Sequence, residues 1–285
     1  MIYIEPIGGL CNRMRSVLSA YKYAVDNSMD MTVLWWCHDE CNCRFEDIFD
    51  LSAMKEKSEI GINVINMPFV GNGYLFRKIR HYIKNRTVCK IKNKCELVIN
   101  DADRESIKDK NADNIYISSY NEWYDTKGQY EFFILCKELR KRAEQIRSEY
   151  TDYMVGIHIR RTDNSVSIEH SSTEMFIKVM KSIIDKNENA GFYLATDDLS
   201  IRDIMYKQFG NRIICKKEIV MKRDSLKGIE DAIIDLLNLS FCKMIIGSYY
   251  SSFSEVAALI GKIRLEIVKD DCVNVSDYIS NYTGV

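Results

Sequence analysis

Arg160 and Arg161 stand side by side in the run Val155-Gly-Ile-His-Ile-Arg-Arg-Thr-Asp163, with His158 just before them and Asp163 just after. A guanidinium fork matches phosphate oxygens bidentately and keeps its charge at any physiological pH. Two of them beside an aspartate divide naturally, one turned to an anion and the other held by the carboxylate. An ion pair that merely closes a strand end uses the same residue types. The pair alone does not choose between binding and structure.

Other residues with chemical potential recur at comparable places. Asp197 and Asp198 follow Gly191–Leu194, and Ser251 and Ser252 follow Lys243–Ile246. Each set also reads as a helix cap, before helices expected at 199 and 252. Asp235 is a lone acid among Ile233, Ile234, Leu236 and Leu237. It needs a partner, either solvent or the N1–H and exocyclic amine of a guanine. Near the start, Gly8, Gly9 and Asn12 form a glycine turn, with Arg13 and Arg15 expected in the first turn of the following helix. Cations there oppose the helix dipole, which invites a functional reason, and an anion suits that helix end. The glycines alone are equally explained by a tight turn. The stretch Cys37-His-Asp-Glu-Cys-Asn-Cys43 lacks the second cysteine pair of a structural zinc site, so it reads as a thiol-bearing loop and no metal is expected.

These residues need elements to carry them. A chain of 285 residues, 46% hydrophobic and 28% charged, with 13 Gly and 2 Pro, holds one large domain or two ordinary ones. Its 40 basic residues against 41 acidic leave a net charge of −1. No nucleic-acid partner is indicated by bulk charge, and any cationic site must be local. No apolar run approaches the roughly 20 residues a bilayer requires, and no basic n-region opens the chain. The expectation is a cytoplasmic protein whose 10 cysteines are thiols. Tyr74–Asn85 reads as a basic helix, either a solvated face or an acceptor-side or peripheral membrane contact. Tyr120-Asn-Glu-Trp-Tyr124 either stacks on a sugar ring or packs.

Strands are expected at Met1–Ile7, Met31–Trp36, Ile62–Met67 and Asp113–Ser118, with a long helix at Glu131–Glu149. Beyond it the pattern is regular. Strands at 153–160, 191–195, 211–215, 243–247 and 263–268 alternate with helices at 173–186, 199–208, 228–240 and 252–260. Such alternation makes a parallel sheet wrapped by helices, with ligands at strand C-termini. The expected fold is α/β, two Rossmann-like domains, 1–150 and 151–285, facing each other across a cleft.

Over residues 153–262, VGIHIRRTDN, FYLATDD, the Gly228–Ser240 helix with its IIDLL, and IIGSYYSS resemble, in order and spacing, the donor domain of the α1,6-fucosyltransferase family and its rhizobial nodulation relatives. These belong to a superfamily with α1,2- and protein O-fucosyltransferases. The resemblance implies a GT-B fold, GDP-fucose on the C-terminal domain, and inverting transfer to a saccharide hydroxyl, such as a bacterial-type surface glycan, without metal or other cofactor. Of Arg160 and Arg161, it implies that one contacts the β-phosphate and the other is structural. His158 and Asp235 match the guanine-reading positions, and Asp197, Asp198, Ser251 and Ser252 the loops around nucleotide and fucose. GGLCNRMR is similar to the superfamily's opening turn, which adds Gly9, Asn12 and Arg13 to the donor-binding set. Asn164 departs from the family lysine, and the downstream glutamate, a base or acceptor-orienting group, aligns only after a one-residue shift, onto Glu169. Glu169 and Asp163 are therefore the carboxylates expected to join the arginines in catalysis. A different GDP-sugar, or GDP-sugar binding without transfer, are the alternatives. The membrane anchor, coiled coil and SH3-like domain of the eukaryotic enzymes are not expected.

Overall fold

The computed structural model describes residues 1–66, 74–108, 112–162, 165–216 and 224–269, with backbone alone for 74–77. The first elements are β1 (Ile2–Pro6), α1 (Leu10–Asp26), β2 (Met31–Trp35), α2 (Leu51–Lys57), β3 (Ile62–Asn66), α3 (Tyr74–Lys92), β4 (Leu97–Ile99), β5 (Ile115–Ser119) and α4 (Lys137–Arg147). Their strands form one sheet, β3-β2-β1-β5-β4, with every neighbouring pair parallel. Ile2, Ile4, Val33 and Leu34 are fully buried, as expected of strands whose two faces are both covered.

Three local readings change. Helix α1 begins at Leu10 with the extended Gly9 as its N-cap, so Arg13 closes the first turn and Arg15 falls beyond it. The helix expected from Glu131 starts only at Lys137. Tyr130–Phe132 is a 3-10 turn, and Leu135 makes an isolated antiparallel bridge to Phe49. Aromatic packing explains the difference: Phe133 stacks near Phe49 at 5.0 Å, which helix from 131 onward would pull away. Finally, α3 runs past Asn85 to Lys92.

The remaining elements are β6 (Met154–Ile159), α5 (Ser165–His170), α6 (Thr173–Lys186), β7 (Gly191–Thr196), α7 (Leu199–Phe209), β8 (Ile213–Ile214), α8 (Leu226–Ser240), β9 (Met244–Ser248), α9 (Ser252–Gly261) and β10 (Arg264–Val268). They form a second parallel sheet, β10-β9-β6-β7-β8. The order steps outward from β6 through β7 to β8, then returns to the other side of β6 for β9. Neighbouring connections leave β6 and β9 in opposite directions, which opens a crevice at their carboxyl ends. In the first sheet the same reversal falls between β1 and β5.

Strand β6 is buried throughout, and its residues alternate between the two faces. Val155, Ile157 and Ile159 join Phe176, Phe192 and Leu194 in one cluster. Gly156 faces the other way, where a Cβ would come within 2.9 Å of Leu239 in α8. The architecture is thus α/β with two Rossmann-like units. One comprises residues 1–137 and 224–230, the other 138–216 and 231–269. No helix among the described residues is long and apolar enough to cross a membrane.

Candidate functional site

The loops after β6, β7 and β9 meet at the switch point of the second sheet. The backbone N–H of Arg160 donates to Ser248 Oγ at 3.0 Å, and that hydroxyl donates to His158 O at 3.3 Å, which ties β6 to β9. On the β7 side, Asp197 Oδ1 accepts from the Arg161 N–H at 2.7 Å. Asp197 Oδ2 accepts from the N–H and hydroxyl of Thr162 at 3.3 and 2.8 Å.

The alternation of β6 separates the two arginines. Arg161 follows the face of Ile159, toward α6. Its guanidinium donates to Arg160 O at 2.9 Å, Ser171 O at 2.6 Å and Thr173 Oγ1 at 3.2 Å. Burial lowers its pKa, partly offset by Asp197, Glu174 and Asp198. His158 lies on the opposite face, buried, with Nδ1 2.7 Å from Ser254 Oγ and its ring 4.8 Å from Phe253. Both of those partners belong to the first turn of α9. Ser251 caps that helix by position without a side-chain cap bond, and its buried hydroxyl has no hydrogen-bond partner among the described residues. Ser252 opens the same helix.

Asp198 takes the capping role, accepting from the N–H and hydroxyl of Ser200 at 2.8 and 2.7 Å. Asp235 has its partners inside the chain. Tyr193 OH donates to Oδ1 at 2.6 Å, and Lys216 Nζ lies 2.7 Å from Oδ2. Burial raises the Asp235 pKa, while Lys216 and Tyr193 pull it down. Lys216 also donates to Asp231 O at 2.6 Å, and Asp231 pairs with Arg142 at 3.1 Å. Glu169 is exposed on α5. Asp163 and Asn164 lie outside the described residues.

Gly9, Asn12 and Arg13 belong to the first unit, at the carboxyl end of β1. Gly8, not Gly9, has the positive φ, 84°, and a Cβ there would come 3.0 Å from Asn12 Nδ2. Arg13 is fully buried. It donates to Gly8 O at 2.9 Å and from Nη2 to His38 Nε2 at 2.7 Å, and stacks 4.7 Å over Trp35. Its Nη1 has no hydrogen-bond partner among the described residues. Burial and the Arg13 charge lower the His38 pKa to about 4, so the ring is neutral and can accept. The cysteine loop is occupied otherwise: Cys37 Sγ donates to Cys43 O at 3.0 Å, and Cys41 and Cys43 sulfurs are 3.8 Å apart. Of the aromatic stretch, Trp123 is buried and packs on Tyr23, Tyr124 bonds Asp26, and Tyr120 is exposed. At the β1/β5 reversal an open cavity of about 420 Å³ is lined by Arg15, Asp103, Arg104, Glu105, Asn121 and Glu122.

No family model matches the sequence, and no curated protein matches it either. Solved structures do match. A NodZ α1,6-fucosyltransferase co-crystallised with GDP superposes with a TM-score of 0.61 at 16% identity, covering 96% of each chain. NodZ from Bradyrhizobium gives 0.61 at 18% identity, over 95% of this chain and 96% of that one. POFUT1 in complex with GDP-fucose gives 0.59 at 10% identity, over 94% and 97%. The fold is the GT-B fold of these fucosyltransferases. The motifs that carried the resemblance covered residues 153–262 and, in the first half, only the short GGLCNRMR turn, whereas the shared fold extends across both halves.

Lys216, Tyr193, Ser248, Ser254 and Thr173 were not singled out from sequence. Lys216 had one legible signal, a cation directly after a short apolar strand. The others are ordinary strand and cap residues until the topology brings them together.

Proposed function

We propose that the protein transfers fucose from GDP-fucose to a saccharide hydroxyl with inversion at the anomeric carbon. The observation that carries this reading is the sorting of the arginine pair at the β6/β9 crevice. Arg161 turns its guanidinium onto the Arg160 and Ser171 carbonyls and the Thr173 hydroxyl, a structural role. We assign the anion to Arg160, which alternates to the opposite face, together with the Ser251 hydroxyl at the N-terminus of α9. A helix N-terminus with an available hydroxyl suits a diphosphate. The structural relatives bound to GDP and GDP-fucose support the same nucleotide here.

In this reading the acceptor oxygen attacks the anomeric carbon opposite the diphosphate. The bond from that carbon to the β-phosphate oxygen breaks, and its electron pair leaves with GDP. Negative charge grows on the β-phosphate, and a fixed guanidinium stabilises it more in the transition state than in the ground state. The acceptor proton passes to a carboxylate of the 163–169 segment, for which Glu169 is the described candidate. His158 and Asp235 remain the proposed guanine readers, with Asp235 shared between the base and its Lys216 and Tyr193 partners. The acceptor, a glycan, suits the polar cavity at Arg15, Asn121 and Glu122, since carboxylate, amide and guanidinium groups hydrogen-bond sugar hydroxyls.

Calorimetry with GDP, ADP and UDP, with and without chelator, tests the donor half. Selective GDP binding that survives the chelator supports it; equal or absent binding of the three overturns it. A second reading, GDP-sugar binding without transfer, is favoured by Asn164 in place of the family lysine. Tight GDP binding with no GDP release from GDP-fucose across a panel of glycan acceptors would select it.

A further inference from the structure

Helix α3 is basic on both faces. Its inward cations are neutralised: Lys84 Nζ lies 2.5 Å from the buried Glu5, and Arg80 lies 3.9 Å from Asp39. Lys92 donates to Asn100 at 2.9 Å and stands 4.5 Å over the Tyr116 ring. Val88 completes that face, packed with Leu34 and Tyr116. The outward face has no such account. Ile79, Tyr82 and Ile83 are 40%, 64% and 41% exposed, at the i, i+3, i+4 spacing that puts them on one stripe. Arg86 and Lys90 continue the stripe and Lys94 follows in the turn just past the helix, all exposed, and no acid pairs with them among the described residues.

The charge is local and one-signed. No Asp or Glu occurs between Glu59 and Glu96, in a chain whose net charge is −1. A solvated helix face would interleave acids with its cations and would not group two isoleucines and a tyrosine in water.

We propose that this outward face of α3 docks on an anionic membrane surface. The headgroup phosphates take the cations, and the acyl boundary takes Ile79 and Ile83, with the Tyr82 phenol at headgroup level. Lysines outnumber arginine among the outward cations, which suits diffuse attraction to phosphates better than bidentate docking to one acidic protein. The face is a convex helix, not a groove, and a bilayer asks for no complementary shape.

The test is co-sedimentation of the full chain with vesicles of phosphatidylglycerol and phosphatidylcholine, against phosphatidylcholine alone. Binding to the anionic vesicles is expected, and it falls steeply with added salt. Arg86→Glu/Lys90→Glu/Lys94→Glu should lower the partition coefficient by about 100-fold or more, at roughly five-fold or more per charge. Ile79→Ser/Tyr82→Ser/Ile83→Ser should weaken binding while leaving its salt dependence. Both variants change exposed residues, and an unchanged thermal midpoint confirms that they fold. Equal binding to both vesicle types, or undiminished binding of the charge-reversed variant, overturns the proposal. So does no binding at all, which would favour an acidic protein partner. No nucleotide enters the assay, so its failure leaves the donor reading untouched.

Discussion

Asp197 accepts from the backbone N–H of Arg161 at 2.7 Å, and through its other oxygen from Thr162. One carboxylate on the β7 loop thereby fixes the backbone from which Arg161 projects, while Ser248 on β9 fixes that of Arg160. The β6 loop is clamped from both neighbouring strands. Clamping of this kind holds charge in place before any ligand arrives, which is the condition for electrostatic stabilisation of a transition state.

The two arginines should therefore fail differently. Arg161→Ala removes donors from the carbonyls of Arg160 and Ser171 and should cost about 1–3 kcal/mol of stability. Arg160→Ala should lower turnover of GDP-fucose about 10²–10³-fold in protein that still folds. Thermal scans and GDP-release rates on both variants separate the roles. A stable Arg161→Ala with a crippled rate, beside an active Arg160→Ala, would reverse the assignment.

Lys216 and Asp235 form a buried pair at 2.7 Å, and each side chain leaves the other costly when removed. Lys216→Met strands the carboxylate with Tyr193 alone and should destabilise by about 3–5 kcal/mol. Adding Asp235→Leu should recover much of that loss, because no unpaired charge then stays buried. Chemical denaturation of the four proteins gives the coupling. Additive losses would show that the pair is not coupled.

The second sheet was largely legible because its strands are buried on both faces and its helices are strongly periodic. Phe176, Val179 and Met180 in α6, or Ile233 and Leu236 in α8, mark their elements without help from context. The first unit was less so. Strand β4 spans only Leu97–Ile99, too short to show a period, and the turn at Tyr130–Phe132 is set by aromatic contacts with residues distant in sequence. At the site, the residue types were legible and their division of labour was not. Asp198 and Asp197 look alike in sequence, yet one caps a helix and the other holds the arginine loop. Asp235 was marked as needing a partner, but Lys216 becomes its neighbour only through the packing of β8 against β7 and α8.

Gly247 pairs with His158 across β9 and β6. A Cβ at this position would lie 2.5 Å from Ser254 Oγ and 2.7 Å from Ser254 Cβ. That same hydroxyl stands 2.7 Å from His158 Nδ1. Gly247→Ala should push back the first turn of α9, costing about 1–3 kcal/mol, and weaken GDP binding about ten-fold through the lost histidine contact. Adding Ser254→Gly should restore much of the stability without restoring the affinity. If affinity returns with stability, His158 is not held for the ligand by Ser254.

His38 should give the protein a measurable acid limb. Its Nε2 accepts from Arg13 at 2.7 Å, which requires a neutral ring, and burial together with Arg13, Lys84 and Arg80 lowers its pKa from 6.5 to about 4, against an opposing pull from Asp39. The unfolded chain takes up a proton near 6.5, while the folded chain refuses one until about 4. Stability from this group is therefore fully present above the unfolded pKa, falls as pH drops through the interval, and levels off below it. The loss is on the order of 2–3 kcal/mol. His38→Gln keeps an acceptor for Arg13 and removes the titration, so unfolding free energy measured against pH should fall less steeply across that window in the variant than in the wild type. Parallel curves would mean that the Arg13–His38 contact does not depend on a neutral imidazole.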